Sequence, residues 1–124
     1  MDNKRILIVD DERPIMHALR DKLSREGFQV LEAQNGKDGL DIALGEHPDL
    51  ILLDIVMPVM DGITALQELR KDSWGKNAKV IILTNLSDNE RVGEAVKEGA
   101  YDYLVKTDWK LDDVIAKVRE KLNL

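Results

Sequence analysis

The sequence predicts a doubly wound α/β fold built on a five-stranded parallel sheet. Three short runs, "RILIV" at 5–9, "LILL" at 50–53 and "VIIL" at 80–83, are almost entirely apolar and rich in β-branched residues. Such runs are typical of strands that are buried on both faces of a parallel sheet. Helical periodicity separates the runs, so the predicted order is βαβαβαβαβα, and right-handed crossovers place helices on both faces.

Two further runs are mixed in polarity, as edge strands often are: "FQVLEA" at 28–33 and "YDYLVK" at 101–106. Placing the three apolar runs at the centre gives the strand order 2-1-3-4-5, which is the flavodoxin-like, three-layer αβα arrangement. In such sheets ligands bind at the carboxyl ends of the strands where the order reverses. Here that point lies between the first and third strands.

Capping residues, glycines and apolar residues at helical spacing predict five helices. The first helix starts near Pro14 with Gly27 just past its end, and Asn35 and Gly45 bracket the second. The third runs from Ile63 to about Lys71, the fourth starts with the capping box at Ser87 and is closed by Gly99, and the last is capped by Asp108 and holds apolar residues up to Leu122. Each helix follows one of the predicted strands, so the pattern accounts for the chain from end to end.

Length and composition favour one globular domain, 1–124, in the cytoplasm. The 124 residues include no cysteine, and 24 acidic against 18 basic residues give a net charge of −6. An acidic surface argues against direct binding of nucleic acid. No apolar run approaches the roughly 20 residues that span a membrane, and the polar start "MDNKRILIVDD" differs from a signal peptide. Because the sequence stops after the last predicted helix, we expect a stand-alone protein or a domain excised from a longer one.

Polar side chains end four of the predicted strands: Asp10 and Asp11, Asp54, Thr84, and Lys106. One such residue is usually a turn or capping residue, but five that meet at one edge of the sheet indicate a site. An oxygen-only set of carboxylates suits Mg²⁺. Asp54 can act as a nucleophile that forms an aspartyl phosphate, while Thr84 and Lys106 contact phosphoryl oxygens.

The motifs "VDDE", "LLDIVMPVMDG", "LTN" and "YLVK" together resemble the receiver domain of two-component response regulators, over essentially the whole chain. The resemblance implies that Asp54 accepts a phosphoryl group from the phosphohistidine of a sensor kinase or a histidine phosphotransfer protein. It also implies that the domain catalyses its own phosphorylation and dephosphorylation. It would have no separate turnover substrate, so we do not expect an enzyme in the usual sense.

The resemblance also assigns a Mg²⁺ site. Asp11, Asp54 and the backbone carbonyl of Val56 are the implied ligands, and Asp10 helps through water. Glu12 is expected only to favour the N-terminus of the following helix.

For the switch, the resemblance implies that Lys106 contacts the phosphoryl oxygens. Thr84 would move toward the phosphoryl group, and Tyr103 would change rotamer with it. The altered face, made by helix 4, strand 5 and helix 5, would bind a downstream protein or an output domain.

Two positions depart from the family pattern. Thr107 follows Lys106 where the family usually has proline, and a cis bond without proline costs about 3 kcal/mol. We therefore expect a trans or a strained peptide there. Asn85 follows Thr84 where a small residue is usual, and its amide is expected to affect access of the phosphoryl group.

Two other functions are compatible with parts of the pattern. A Mg²⁺-dependent phosphohydrolase resembling the haloacid dehalogenases would need a general acid two residues after Asp54, but position 56 is Val. An interaction module that has lost phosphorylation would not need Asp54, Thr84 and Lys106 together. A timed phosphorylation assay separates all three hypotheses.

Overall fold

The computed structural model describes residues 4–84, 89–100, 102–105 and 110–124. Five strands form one sheet in which every observed pairing is parallel, in the order β2-β1-β3-β4-β5. The strands are β1 (Arg5–Val9), β2 (Gln29–Ala33), β3 (Leu50–Asp54), β4 (Val80–Thr84) and β5 (Asp102–Val105). The predicted fold class and strand order are confirmed.

Five α-helices connect or follow the strands, together with a short 3-10 helix at Gly75–Asn77 that the sequence did not predict. The helices are α1 (Arg13–Arg25), α2 (Gly36–Glu46), α3 (Gly62–Arg70), α4 (Asn89–Lys97) and α5 (Leu111–Leu122). Buried side chains of α1 and α5 share one apolar cluster, and those of α2, α3 and α4 share the other. The sheet therefore lies between two helical layers.

The sheet explains why three runs of the sequence are almost entirely apolar. Side chains of one strand alternate between its two faces, so Ile6 and Ile8 belong to one cluster and Leu7 and Val9 to the other. All five residues of β3 and of β4 are buried. The edge strands β2 and β5 are only partly buried, in agreement with their mixed polarity.

One predicted helix boundary is wrong. Gly45 lies inside α2, which ends one residue later, and His47 terminates the helix in the left-handed conformation with φ of 49°. Gly27 and Gly99 do follow their helices, as predicted, and both have positive φ. The predicted caps Ser87 and Asp108 lie outside the described residues.

Among the helices that the structure describes, none combines the length and the apolar character that crossing a membrane requires.

Candidate functional site

Three polar side chains are buried at the carboxyl edge of the sheet. Asp10 follows β1 and is 0% exposed, Asp54 ends β3 and is 4% exposed, and Thr84 ends β4 and is 2% exposed. Because these are the three central strands, the residues lie side by side at the point where the strand order reverses. The predicted meeting of Asp10, Asp54 and Thr84 at this edge is confirmed.

Asp10 shapes the chain where β1 leads into α1. Its N–H donates to the carbonyl of Ala33 at 3.0 Å, which extends the pairing with β2 by one residue. Its Oδ1 accepts a hydrogen bond from the N–H of Glu12 at 2.9 Å. Glu12 is the N-cap of α1, but its side chain makes no capping hydrogen bond. The turn therefore places the Glu12 carboxylate near those of Asp10 and Asp54.

Among the described residues, one acidic cluster has the spacing of a cation site. Carboxylate oxygens of Asp10, Glu12 and Asp54 all lie within 4.8 Å of one another. Two oxygens on opposite sides of a Mg²⁺ ion are separated by about 4.2 Å, so small side-chain movements bring these donors to one ion. At 4.8 Å two like charges repel by about 3 to 4 kcal/mol near a protein surface. The donor set thus fits a hard divalent cation that offsets this repulsion.

This cluster differs from the set expected from the sequence. Glu12 was expected only to favour the start of α1, whereas its carboxylate lies beside those of Asp10 and Asp54. Asp11, the expected direct ligand, is exposed and is not a member of the cluster in the described part of the chain. Val56, whose carbonyl was the fourth expected ligand, is 54% exposed and lies two residues beyond Asp54. The ligand roles of Asp11 and Val56 remain predictions.

The loop between β3 and α3 is held against the backbone of Asp54. The N–H of Gly62 donates to the carbonyl of Ile55 at 2.7 Å. A Cβ at position 62 would lie 2.0 Å from the carbonyl oxygen of Asp54, so this close approach requires glycine. Asp61 then caps α3 by accepting the N–H of Thr64 at 2.8 Å.

The same loop also contacts α2. The N–H of Gly36 donates to the carbonyl of Met60 at 2.9 Å, and a Cβ at position 36 would lie 2.3 Å from that oxygen. Val59 has φ of 69°, and the N–H of Met60 donates to the carbonyl of Pro58 at 2.7 Å. This is a tight γ-turn that is unfavourable for a β-branched residue. Fixed contacts at both ends thus enforce a strained, exposed turn beside Asp54.

The remaining predicted site residues fall into two groups. Tyr103 is 47% exposed on β5, in register with Ile82 of β4, two residues before Thr84. Lys106 lies outside the described residues, as do Asn85 and Thr107. Their predicted roles remain predictions.

An ionic network beside Tyr103 joins β5 to α5. Asp102 Oδ2 accepts from Lys117 Nζ at 2.8 Å and lies 3.3 Å from Lys121 Nζ, while its Oδ1 accepts the N–H of Tyr103 at 2.8 Å. Burial raises the pKa of Asp102, but hydrogen bonds from Lys117, the Tyr103 N–H and Lys121, together with the charge of Lys117, outweigh burial and lower the pKa. No sequence pattern indicates this network, because Lys117 and Lys121 lie 15 and 19 residues from Asp102 along the chain.

Residues 6–119 match the family described as the response regulator receiver domain. The chain belongs to this family. Its members are signalling switches that kinases phosphorylate rather than conventional enzymes, so the phosphohydrolase alternative is not supported. The predicted family is confirmed over nearly the whole length of the chain.

Individual relatives agree with this assignment. The chain is 36% identical over 124 residues to sporulation initiation phosphotransferase F of Bacillus subtilis, and covers 98% of that protein. A CheY-like receiver domain from Methanospirillum hungatei superposes with a TM-score of 0.90 at 32% identity, covering 98% of this chain and 95% of that one. CheY in the CheX–CheY–BeF3–Mg complex of Borrelia burgdorferi gives a TM-score of 0.85 at 30% identity, covering 94% and 87%.

The chain spans only 43% and 25% of the length of two other curated relatives that it matches at 40% identity or more. Receiver domains therefore occur among its relatives both alone and as parts of longer proteins.

Proposed function

We propose that Asp54 is the phosphoryl acceptor of this receiver domain. The observation that carries the proposal is the position of Asp54, which is almost fully buried at the end of the central strand, with Asp10 and Thr84 ending the strands on either side. Such a carboxylate is fixed in place by its strand, and Gly62 fixes the backbone that follows. The donor is the phosphohistidine of a sensor kinase or of a histidine phosphotransfer protein.

The transfer is a nucleophilic displacement at phosphorus. An oxygen of Asp54 forms a bond to phosphorus while the bond between phosphorus and the donor's imidazole nitrogen breaks, and the electron pair stays on that nitrogen. Thr84 donates a hydrogen bond to one phosphoryl oxygen, and Lys106 contacts another. Burial of Asp10, Asp54 and Thr84 limits the competing interaction of these groups with water.

Asp10, Asp54 and either Glu12 or Asp11 would hold Mg²⁺, together with the carbonyl of Val56. When bound, the ion neutralises the charge that the phosphoryl group adds to the carboxylates. The close spacing of three carboxylates supports the proposal. So does the Borrelia relative, whose complex contains BeF3 and Mg.

Phosphorylation would then shift the domain between two conformations of the face made by α4, β5 and α5. Tyr103 is half exposed on this face, beside strand β4 that carries Thr84. A downstream protein or an output domain would bind the altered face. Hydrolysis of the aspartyl phosphate by the domain itself, with the exposed Val56 beside the acceptor, would reset the switch.

A timed phosphorylation assay tests this function. Incubation with acetyl phosphate and Mg²⁺ is expected to add one phosphoryl group to the intact protein, which is then lost slowly after the donor is removed. Asp54→Asn should abolish the adduct because it removes the nucleophile. Asp41→Asn, on the exposed surface of α2, is the matched control and should leave the adduct unchanged.

Persistence of the adduct in Asp54→Asn would contradict the assignment of the acceptor. Absence of any adduct in the wild-type protein would favour the interaction module that has lost phosphorylation.

A further inference from the structure

One arginine connects the end of α4 to two other segments. Arg70, the last residue of α3, is half-buried and uses all three guanidinium nitrogens as donors. Its Nε donates to the carbonyl of Glu98 at 2.7 Å, and one Nη donates to that of Gly99 at 2.8 Å. The other Nη donates to the carbonyls of Gly75 at 2.6 Å and Ala78 at 2.9 Å. The side chain thus binds the end of α4 and the approach to β4 at once.

The end of α4 leaves carbonyl groups that need such a donor. The N–H groups of Gly99 and Ala100 donate, both at 3.0 Å, to carbonyls three and five residues earlier, and Gly99 has φ of 84°. This is a Schellman motif, which satisfies carbonyls of the last helical turn but not those of Glu98 and Gly99. Arg70 donates hydrogen bonds to both of these carbonyls, and its positive charge lies at the negative end of the helix dipole.

The four hydrogen bonds of Arg70 form a clamp on the end of α4 and the approach to β4, and helix α3 positions this clamp. It begins at Gly62, which packs directly on the backbone of Asp54, and it ends at Arg70. The segment that Arg70 also holds leads into β4, which ends at Thr84. The clamp therefore fixes the end of α4 relative to the two strands that carry Asp54 and Thr84.

Helix α4 has an interior glycine. Among the described residues, nothing lies within 4 Å of the place that a Cβ of residue 93 would occupy, so no described packing contact requires Gly93. An interior glycine weakens a helix relative to alanine. The fully buried anchor, Ala95, lies beyond Gly93 on the side of the clamp. Within the described residues, the carboxyl-terminal half of α4 thus has both a fully buried side chain and the Arg70 hydrogen bonds, whereas Val92 on the other side of Gly93 is only partly buried against the core.

We propose that Arg70 makes the carboxyl-terminal end of α4 a fixed pivot, about which phosphorylation of Asp54 repositions the amino-terminal half of the helix. The inference rests on the proposed function, because Thr84 would initiate the movement. Arg70 is a positioning residue in this scheme and does not contact the phosphoryl group. Gly93 lowers the cost of changing the helix on the other side of the pivot.

Amide hydrogen exchange of the full chain, resolved by residue, tests the pivot. In the wild-type protein, Mg²⁺ and beryllofluoride are expected to change the exchange rates at residues 89–94. The exchange rates at residues 98–100 should stay within about twofold of their values without beryllofluoride. Arg70→Met should speed exchange at residues 98–100 at least tenfold without any phosphoryl mimic, because two carbonyl acceptors lose their donor. Beryllofluoride should then alter all of α4 in this variant.

Two further variants separate the clamp from a general loss of stability. Lys71→Met removes a neighbouring cation whose only described partner is the exposed Glu68, and it should leave exchange at 98–100 unchanged. Arg70→Lys keeps the charge but not the fork of donors, so it should restore little of the protection. Gly93→Ala should slow exchange in the amino-terminal half and reduce the change that beryllofluoride causes there.

The outcomes distinguish the pivot from the function on which it rests. No change anywhere in the wild-type protein with Mg²⁺ and beryllofluoride would contradict the proposed function, and the pivot with it. A change that includes residues 98–100 as strongly as residues 89–94 would contradict the pivot alone. Normal protection at 98–100 in a folded Arg70→Met protein would also overturn it.

Discussion

At the carboxyl edge of the sheet, buried side chains concentrate negative charge, whereas at the amino edge cationic side chains donate to the ends of helices. The first edge holds Asp10 and Asp54, which are almost fully buried. At the second, Arg5 donates to the carbonyl of Glu46 at the end of α2, and Lys79 Nζ donates to the carbonyl of Lys121 near the end of α5 at 2.9 Å. Arg70 likewise donates to the carbonyls of Glu98 and Gly99, which follow the last turn of α4.

The difference follows from the direction of the chain in a parallel α/β fold. Helices run antiparallel to the strands, so their negative ends lie at the amino edge, where lysine and arginine are stabilising. Those charges therefore have partners within the fold. At the carboxyl edge, carboxylate oxygens of three acids lie within 4.8 Å of one another, which is the spacing of a cation site. One edge anchors the helices, and the other brings together the acids that we propose hold an ion and accept a phosphoryl group.

The largest expected effect on stability comes from the backbone contact at the carboxyl edge. Gly62→Ala should lower the free energy of unfolding by about 2 to 4 kcal/mol, because the added Cβ would lie 2.0 Å from the carbonyl oxygen of Asp54. Urea unfolding measures the change. Gly45→Ala, with open space inside α2, is the control and should stabilise by up to about 1 kcal/mol. Equal stability of Gly62→Ala and wild type would show that the contact is unimportant.

The next largest effect on stability is the response to Mg²⁺, which should differ between variants at the two edges of the sheet. At 100 times its dissociation constant, Mg²⁺ should raise the free energy of unfolding by about 2.7 kcal/mol relative to EDTA. Asp10→Asn should lose most of this gain because it removes a carboxylate of the cluster. Lys79→Met, at the amino edge, should lower the stability by about 1 kcal/mol but keep the full gain from Mg²⁺. A melting temperature that is the same in EDTA and in Mg²⁺ would contradict the cation site.

The smallest expected effect on stability comes from removing the charge of Asp102, which has lysine partners at the beginning of β5. Folding lowers the pKa of Asp102. The Asp102 carboxylate therefore contributes fully to the free energy of unfolding above the unfolded-state pKa of about 3.9. This contribution is lost as the pH falls below that value and through the folded-state pKa. Asp102→Asn should therefore be less stable than wild type at pH 7, and the difference should shrink as the pH falls below about 4.

Urea unfolding as a function of pH measures this difference. The partners are each about a quarter exposed, so salt should reduce it. A difference that stays constant from pH 7 to pH 3 would contradict the role of the Asp102 charge.

Much of this molecule could be predicted from its sequence, because the signals are local. A strand buried on both faces must be apolar throughout, which identified β1, β3 and β4 and their central positions. The residue that ends such a strand then lies at one edge by geometry alone, which brought Asp10, Asp54 and Thr84 together.

The features that were missed depend on contacts between distant residues or on the path of a turn. Glu12 joins the acidic cluster because its N–H bonds to Asp10 and its side chain does not cap α1. Arg70 contacts carbonyls 28 and 29 residues away, and no periodicity marks such a contact. Gly45 resembled a helix terminator, but His47 adopted the left-handed conformation instead.

Chemical trapping identifies the residue that carries the phosphoryl group and so tests whether Asp54 is the acceptor. The protein is incubated with acetyl phosphate and Mg²⁺ and then reduced with borohydride, which converts an aspartyl phosphate to homoserine, and the modified residue is identified by tandem mass spectrometry. We expect homoserine at position 54 alone, dependent on Mg²⁺. Homoserine at another acidic residue, or none at position 54 in a protein that gains the phosphoryl mass, would contradict it.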